Sequence, residues 1–276
     1  MSNPKGSVLI TGANGGLGSA FVSNLVAFPY ASSHRGIYTI RDPSCAATLK
    51  TVLQNAPKTA HLVDSPTRPQ KPSSEHERIV LVSSWSHDAY DSRNDSIAIC
   101  RGDEYKTLWR DPEALSKGIA YHDNGYKAGM RRYGTSKLLH VMFMYELQRK
   151  LSADPALSKI SVLSLDPGAM GGTGLLRDSP AFIRLLTRYL LYYLQPIMVL
   201  LKPNGIARTP KKPGYDLLLA CLDEKYLGEY PKAVYLGGSE KAIPSVEARD
   251  DKKQRKLWVE SLKLRRLGRD TVLKDL

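Results

Sequence analysis

A chain of 276 residues, 42% hydrophobic and 24% charged, is too apolar for a disordered protein and long enough for one large α/β domain. Its three cysteines, Cys45, Cys100 and Cys221, are scattered without a CxxC pair, and the six histidines show no H-E-x-x-H spacing, so neither a disulfide framework nor a metal site is expected. The net charge of +13 is dispersed, with no zinc-finger spacing and no RNA-binding aromatic signature, so nucleic acid is not an expected partner.

The opening MSNPKGSVLI has no basic stretch followed by a long apolar run, so no secretion signal is expected and a cytoplasmic location is the default. Ser7–Thr11 reads as a first strand and Gly16–Phe28 as a helix with Leu17, Phe21, Leu25 and Phe28 on one face. Between them lies VLITGANGGLG, where Gly12, Gly16 and Gly18 let the backbone turn tightly at the head of a helix. The free N–H groups there attract a pyrophosphate, and the strand–turn–helix setting is what a dinucleotide site needs. Ile37–Ile40 is a second strand, ending in YTIRDP. An acid at such a strand end suits the ribose hydroxyls of NAD, and an arginine suits the 2′-phosphate of NADP. Arg41 precedes Asp42, which favours NADP over NAD.

Pro43–Asn55 is a second helix and Ala60–Asp64 a third strand. A polar connector with Pro66, Pro69 and Pro72 then leads into the strand Ile79–Ser84. Prolines remove donors and break helices, so the connector is irregular, whereas a parallel sheet normally returns through a helical crossover of a dozen residues or more. From Ser86 to Arg131 the chain is polar, with weak helix near Pro112–Lys117. Tyr133–Lys150 is a strong helix, Ile160–Leu165 a strand and DPGAMGGTG a glycine-rich loop. Asp216–Cys221 belongs to a further helix, Ala233–Leu236 to a last strand and Lys253–Leu267 to a closing helix within a basic segment, 249–276. Alternating strands and helices predict a Rossmann-like, doubly wound parallel sheet in a single α/β domain, with ligands bound beyond the carboxyl ends of the strands.

Tyr133 and Lys137 lie four residues apart, on one face of a helix. A free tyrosine, with a pKa near 10, is a poor acid–base group at neutral pH, and a neighbouring ammonium favours its phenolate. The spacing is common by itself and gains meaning only beside the glycine loop and the serine strand. A serine hydrolase is not expected, because no G-x-S-x-G elbow occurs and His87 lies too close in sequence to Ser84 for a triad.

In this order, TGANGGLG, RIVLVSS, YGTSK and SLDPGAMGGTG resemble the short-chain dehydrogenase/reductase family, closest to its retinol-dehydrogenase-like fungal branch, often found in secondary metabolism. The resemblance covers nearly the whole chain. It implies an NADP-dependent oxidoreductase that interconverts a carbonyl and an alcohol on a small, hydrophobic substrate. Tyr133 would be the proton donor. Lys137 would bind the nicotinamide ribose and lower the tyrosine's pKa. Ser84 would hold the carbonyl oxygen, with Ser83 and Ser86 as alternatives. Leu17 and Asp64 match cofactor contacts, the latter beside the adenine, and Thr173 would sit near the nicotinamide amide or pyrophosphate.

The family pattern also places a helix, a strand ending in Asn-Asn-Ala-Gly and a long helix before the serine strand, and none of these is present. The proline-rich connector therefore reads as the scar of a deletion that removed a central strand, its flanking helices and a relay asparagine. Loss of that strand should either leave unpaired backbone groups or force the serine strand to slide inwards, with exposed apolar faces as well, and the rival reading is a catalytically impaired cofactor-binding or interaction protein. The apolar run AFIRLLTRYLLYYLQPIMVLL holds two arginines and Pro196, which disfavours a membrane span. The segment 182–232 reads as a substrate lid, with weak contact to a membrane surface as the alternative. Homo-oligomerisation is left open.

Overall fold

The computed structural model describes residues 6–27, 30–40, 42, 44, 46–54, 77–97, 99–118, 125–170, 185 and 192–264. In chain order the elements are β1 (Gly6–Thr11), α1 (Gly16–Ala27), α2 (Tyr30–Ser33), β2 (His34–Thr39), α3 (Ala47–Gln54), β3 (Arg78–Val82), α4 (Pro112–Ser116) and α5 (Gly125–Ala153). They continue with β4 (Ser161–Asp166), β5 (Ala169–Met170), α6 (Tyr192–Leu201), β6 (Ala207–Arg208), α7 (Lys211–Leu222), α8 (Glu224–Leu227), β7 (Val234–Gly237), β8 (Glu240–Lys241) and α9 (Asp251–Leu264). The expected alternation of strands and helices is present, and the expected third strand and its proline-rich connector lie outside the described residues.

Two compact units account for the chain, residues 1–75 with 168–222 and residues 76–167 with 223–276. In the first, β1 pairs in parallel with β2, from Gly6 opposite His34 to Thr11 opposite Thr39. Helix α1 buries Phe21, Val22 and Leu25 and packs along α7. Gly214 makes that approach feasible, since a Cβ there would stand 2.7 Å from the Ala20 carbonyl carbon. The Asn24 amide pins the pair by donating to the Lys211 carbonyl at 3.1 Å. A short parallel pair, β5 with β6, completes the described strands of this unit. On α6, Tyr193, Leu194, Ile197, Met198, Leu200 and Leu201 are exposed.

In the second unit the strand order is β3-β4-β7-β8, parallel except for the β7–β8 pair. All six residues of β4 are buried. Helix α5 covers this sheet through Leu138, Val141, Met142 and Met144, none of them exposed, and α9 packs on α5, with Trp258 stacked on Phe143 at 5.3 Å between ring centroids. The helix begins eight residues before the expected Tyr133. What extends it is tertiary: Arg131 is fully buried and donates to the carbonyls of Ile99 (2.9 Å), Tyr105 (2.8 Å) and Thr107 (2.9 Å), tying the polar excursion to the helix. Glu247 serves the same excursion, accepting from the backbone of Leu108 (2.9 Å) and Trp109 (3.1 Å) and from Lys253 (2.9 Å).

Among the described residues β1 has one strand partner, β2, and β3 has one, β4. Leu9, in the middle of β1, is 62% exposed, and Ile79 of β3 is 38% exposed. A first strand of a doubly wound sheet is ordinarily covered on both faces. Leu9→Thr should therefore change stability by no more than about 0.5 kcal/mol, while Leu163→Ala in the fully buried β4 should cost about 2–5 kcal/mol. Urea unfolding of the two variants checks this, and comparable losses would mean that β1 is covered.

Candidate active site

The glycine loop leaves β1 at Thr11 and enters α1 at Gly16. Gly12 has φ +71°, a left-handed conformation that favours glycine, and a Cβ there would meet nothing within 4 Å. The turn closes with Gly15 N–H donating to the Gly12 carbonyl at 2.9 Å, and Ser19 N–H to the Gly15 carbonyl at 2.8 Å. Gly18 cannot carry a side chain: its Cβ would stand 2.3 Å from the Gly12 oxygen. Gly12 and Gly16 are exposed, Leu17 is half-buried, and no acid occupies the first turn of α1. The result is an open backbone cradle at a helix N-terminus, which fits a pyrophosphate. Asp42 is turned to its own loop, where its Oδ1 accepts from the Ser44 amide at 2.8 Å and hydroxyl at 2.7 Å. Arg41, Asp64 and Thr173 lie outside the described residues.

The second constellation lies wholly in the other unit. Ser84 follows β3, is buried, and caps a short 3₁₀ turn, Trp85–His87, by accepting from the Ser86 amide at 3.3 Å. The same side chain lies beside the Tyr133 phenol and favours its phenolate. Ser83 is turned elsewhere, donating to the Lys137 carbonyl at 3.2 Å while its amide donates to the Leu165 carbonyl at 2.8 Å. Of the three serines considered, the fold brings Ser84 to the tyrosine. Gly134, beside Tyr133, permits this: a Cβ there would stand 2.6 Å from the Ser86 carbonyl oxygen.

Burial pushes the Tyr133 phenol above its ordinary value, the neighbouring Ser84 side chain opposes that rise, and the nearby Asp166 carboxylate adds to it. Lys137 sits one helical turn on, its Nζ 5.5 Å from the centroid of the Tyr133 ring. That Nζ donates to the Val82 carbonyl at 3.0 Å, and His140 Nδ1 lies 3.2 Å from the same oxygen. The expected lowering of the tyrosine's pKa by Lys137 is not found: the ammonium is turned to the end of β3, and burial sets the direction. Burial lowers the pKa of Lys137 as well.

Several neighbours carry no sequence signature of a site. Asp166, at the end of β4 and 2% exposed, faces Arg93 Nη1 at 3.6 Å. Arg93 also holds Asp91 through Nε at 2.8 Å and Nη2 at 2.6 Å and lies over the Trp85 ring at 5.0 Å. The arginine thus joins the residue after Ser84 to the carboxylate behind Tyr133. His87 accepts at Nε2 from the Ser245 amide at 3.0 Å, which leaves Nδ1 as the donor to the Ser84 carbonyl at 2.7 Å. Burial lowers its pKa, so it is a neutral structural histidine aimed at backbone, not a base for the Ser84 hydroxyl. Among the described residues no group of three or more His, Cys, Asp or Glu could hold a metal ion.

Two glycines of α5 separate packing from propensity. Gly134→Ala should destabilise the protein by about 1–3 kcal/mol and move Ser84 away from Tyr133, because the backbone of Ser86 has to give way. Gly129→Ala, where a Cβ meets nothing within 4 Å, should stabilise by about 0.5–1 kcal/mol. Equal shifts of the urea midpoint for both would contradict the close approach at Gly134.

No family model matches the chain. The short-chain dehydrogenase iccH of Talaromyces variabilis is 30% identical over 362 aligned residues, covering 99% of this chain and 99% of the relative. The alignment is longer than the 276 residues of the chain, so a substantial part of the relative has no counterpart here. The short chain dehydrogenase/reductase dpfgH of Gibberella zeae is 34% identical over 131 residues, 46% of this chain and 32% of the relative. Among solved structures, levodione reductase aligns at 13% identity with a TM-score of 0.46, over 90% of this chain and 98% of its own.

Proposed function

The chain belongs to the short-chain dehydrogenase/reductase family, and from that premise we propose that it is an NADP(H)-dependent oxidoreductase interconverting a carbonyl and an alcohol on a small hydrophobic molecule. The observation that carries the reading is the meeting of the buried Ser84 hydroxyl and the half-buried Tyr133 phenol at the carboxyl end of β3. Relatives from Talaromyces variabilis and Gibberella zeae suit a role in fungal secondary metabolism.

The open cradle of Gly12, Gly16 and Gly18 fits the pyrophosphate of a nicotinamide dinucleotide, with Leu17, Asp64 and Thr173 as further contacts and Arg41 on the 2′-phosphate. The bound nicotinamide supplies or accepts the hydride. Ser84 Oγ orients the substrate oxygen. Tyr133 gives its proton to that oxygen in reduction and takes one back in oxidation. Lys137 would bind the nicotinamide ribose. Outside α6, the segment 182–232 shapes the apolar substrate's site.

The sign of the pH dependence follows from the raised tyrosine pKa. Reduction needs the protonated phenol, which persists through neutral pH and fades only above the raised value. Oxidation needs the phenolate, so its rate should climb about tenfold per pH unit up to that value. Tyr133→Phe keeps the ring and removes the proton, and should lower kcat at least about a hundredfold in either direction. Wild-type turnover of a ketone or aldehyde with NADPH that survives Tyr133→Phe unchanged would overturn the assignment.

Cofactor preference is separable from turnover. By nucleotide fluorescence titration, NADPH should bind more tightly than NADH, and Arg41→Ala should weaken NADPH about tenfold without affecting NADH. Equal affinities, indifferent to Arg41, would remove the NADP reading.

A second reading rests on a specific observation. With Lys137 held by the Val82 carbonyl and Tyr133 pushed upward by burial, the chain suits a cofactor-binding protein with impaired chemistry. Nucleotide binding without turnover of any carbonyl by the wild type would favour that reading.

A further inference from the structure

Between Asp178 and Asp216 the sequence holds no aspartate or glutamate, while Arg184, Arg188, Lys202, Arg208, Lys211 and Lys212 fall within it. At the centre of this stretch lies α6, whose ten residues carry no charge. Its exposed side chains are Tyr193, Leu194, Ile197, Met198, Leu200 and Leu201, with Leu200 81% and Leu201 80% exposed. At about 100° per residue these six positions share one arc of about 160°. The helix therefore presents a continuous greasy face. Isolated exposed leucines need no explanation, but a contiguous apolar face marks an interaction surface.

We propose that α6 is an interfacial helix that seats this protein on an anionic membrane surface. Three observations select that occupant. A helix of ten residues is about 15 Å long and cannot cross the hydrocarbon layer, and no described helix is long and apolar enough to do so; lying in the interface is the arrangement left for it with lipid. The charges flanking it are all basic. Arg208 is buried and Lys212 is paired with Asp216, but Lys202, directly after the helix, and Lys211 are exposed. An apolar helix face whose neighbouring charges along the chain are all basic complements acidic headgroups. A second copy is the poorer fit, because a two-fold contact would bring two like-charged segments together. The proposal is independent of cofactor binding and of turnover.

The test is co-sedimentation of the whole protein with vesicles of phosphatidylcholine alone or mixed with phosphatidylserine. Binding to the mixed vesicles is expected to exceed that to phosphatidylcholine at least about tenfold and to weaken about tenfold as salt rises toward half-molar. Ile197→Asp/Leu201→Asp should abolish binding, and Lys202→Glu/Lys211→Glu should weaken it by about fivefold per charge on the mixed vesicles. The unfolding midpoint should be unchanged in both, since all four side chains are exposed. If the aspartate pair shifts the midpoint, Ile197→Ser/Leu201→Ser replaces it in the same assay. Absence of binding to the anionic vesicles overturns the proposal, as does binding indifferent to the α6 substitutions. A lipid-free dimer dissolved by those substitutions assigns the face to a second copy, and a raised KM for carbonyl substrates with vesicle binding unchanged assigns it to the substrate; either result also overturns it.

Discussion

The buried strand β4 is the constraint on which the second compact unit depends. Its backbone is paired on one side with β3 and on the other with β7, and its six side chains are all removed from water. A strand buried in this way can be satisfied only by partners in fixed register. That register sets where β3 ends, and so where Ser84 turns out of the sheet. Helix α5 must cover the apolar surface that β3 and β4 present, and doing so lays Tyr133 beside that turn. The chemistry of the pair is thus a by-product of how the sheet is covered.

Close approach imposes its own costs. The helix comes so near the 3₁₀ turn that position 134 has no room for a side chain, and the phenol it delivers is buried enough for its proton to be held more tightly than in water. Opposing terms are arranged around it. Ser84 favours the phenolate, Asp166 disfavours it, and Arg93 offsets Asp166 while stacking on Trp85. Buried carboxylates are tolerated only when such a partner is present. Lys137, one helical turn from Tyr133, is engaged by a carbonyl at the end of β3. Among the described residues that strand has β4 alone for a neighbour, so an ammonium and an imidazole gather at a backbone oxygen near its open side.

Much of this was legible in the linear order of residues. The glycine turn, the strand leading into it and the helix leaving it follow from local backbone rules, and β1, α1 and β3 begin and end within three residues of the positions expected. The first turns of α5 were not. Gly125 and Gly129 disfavour helix, and what holds those turns is a buried arginine bonded to carbonyls 24 to 32 residues away in sequence. Propensity carries no information about partners so distant.

The same division runs through the site. By itself the sequence determined which residue types could do the chemistry: a tyrosine and a lysine one helical turn apart, serines at a strand end, and glycines where a phosphate would lie. Only the tertiary structure decided which serine meets the phenol, where the lysine's ammonium is satisfied, and that Asp166 and Arg93 stand behind the pair. The reason is physical. Spacing along a helix or strand follows from covalent geometry and is written locally, whereas burial, charge balance and the choice of hydrogen-bond partner depend on segments that meet only when the sheet and its covering helix come together.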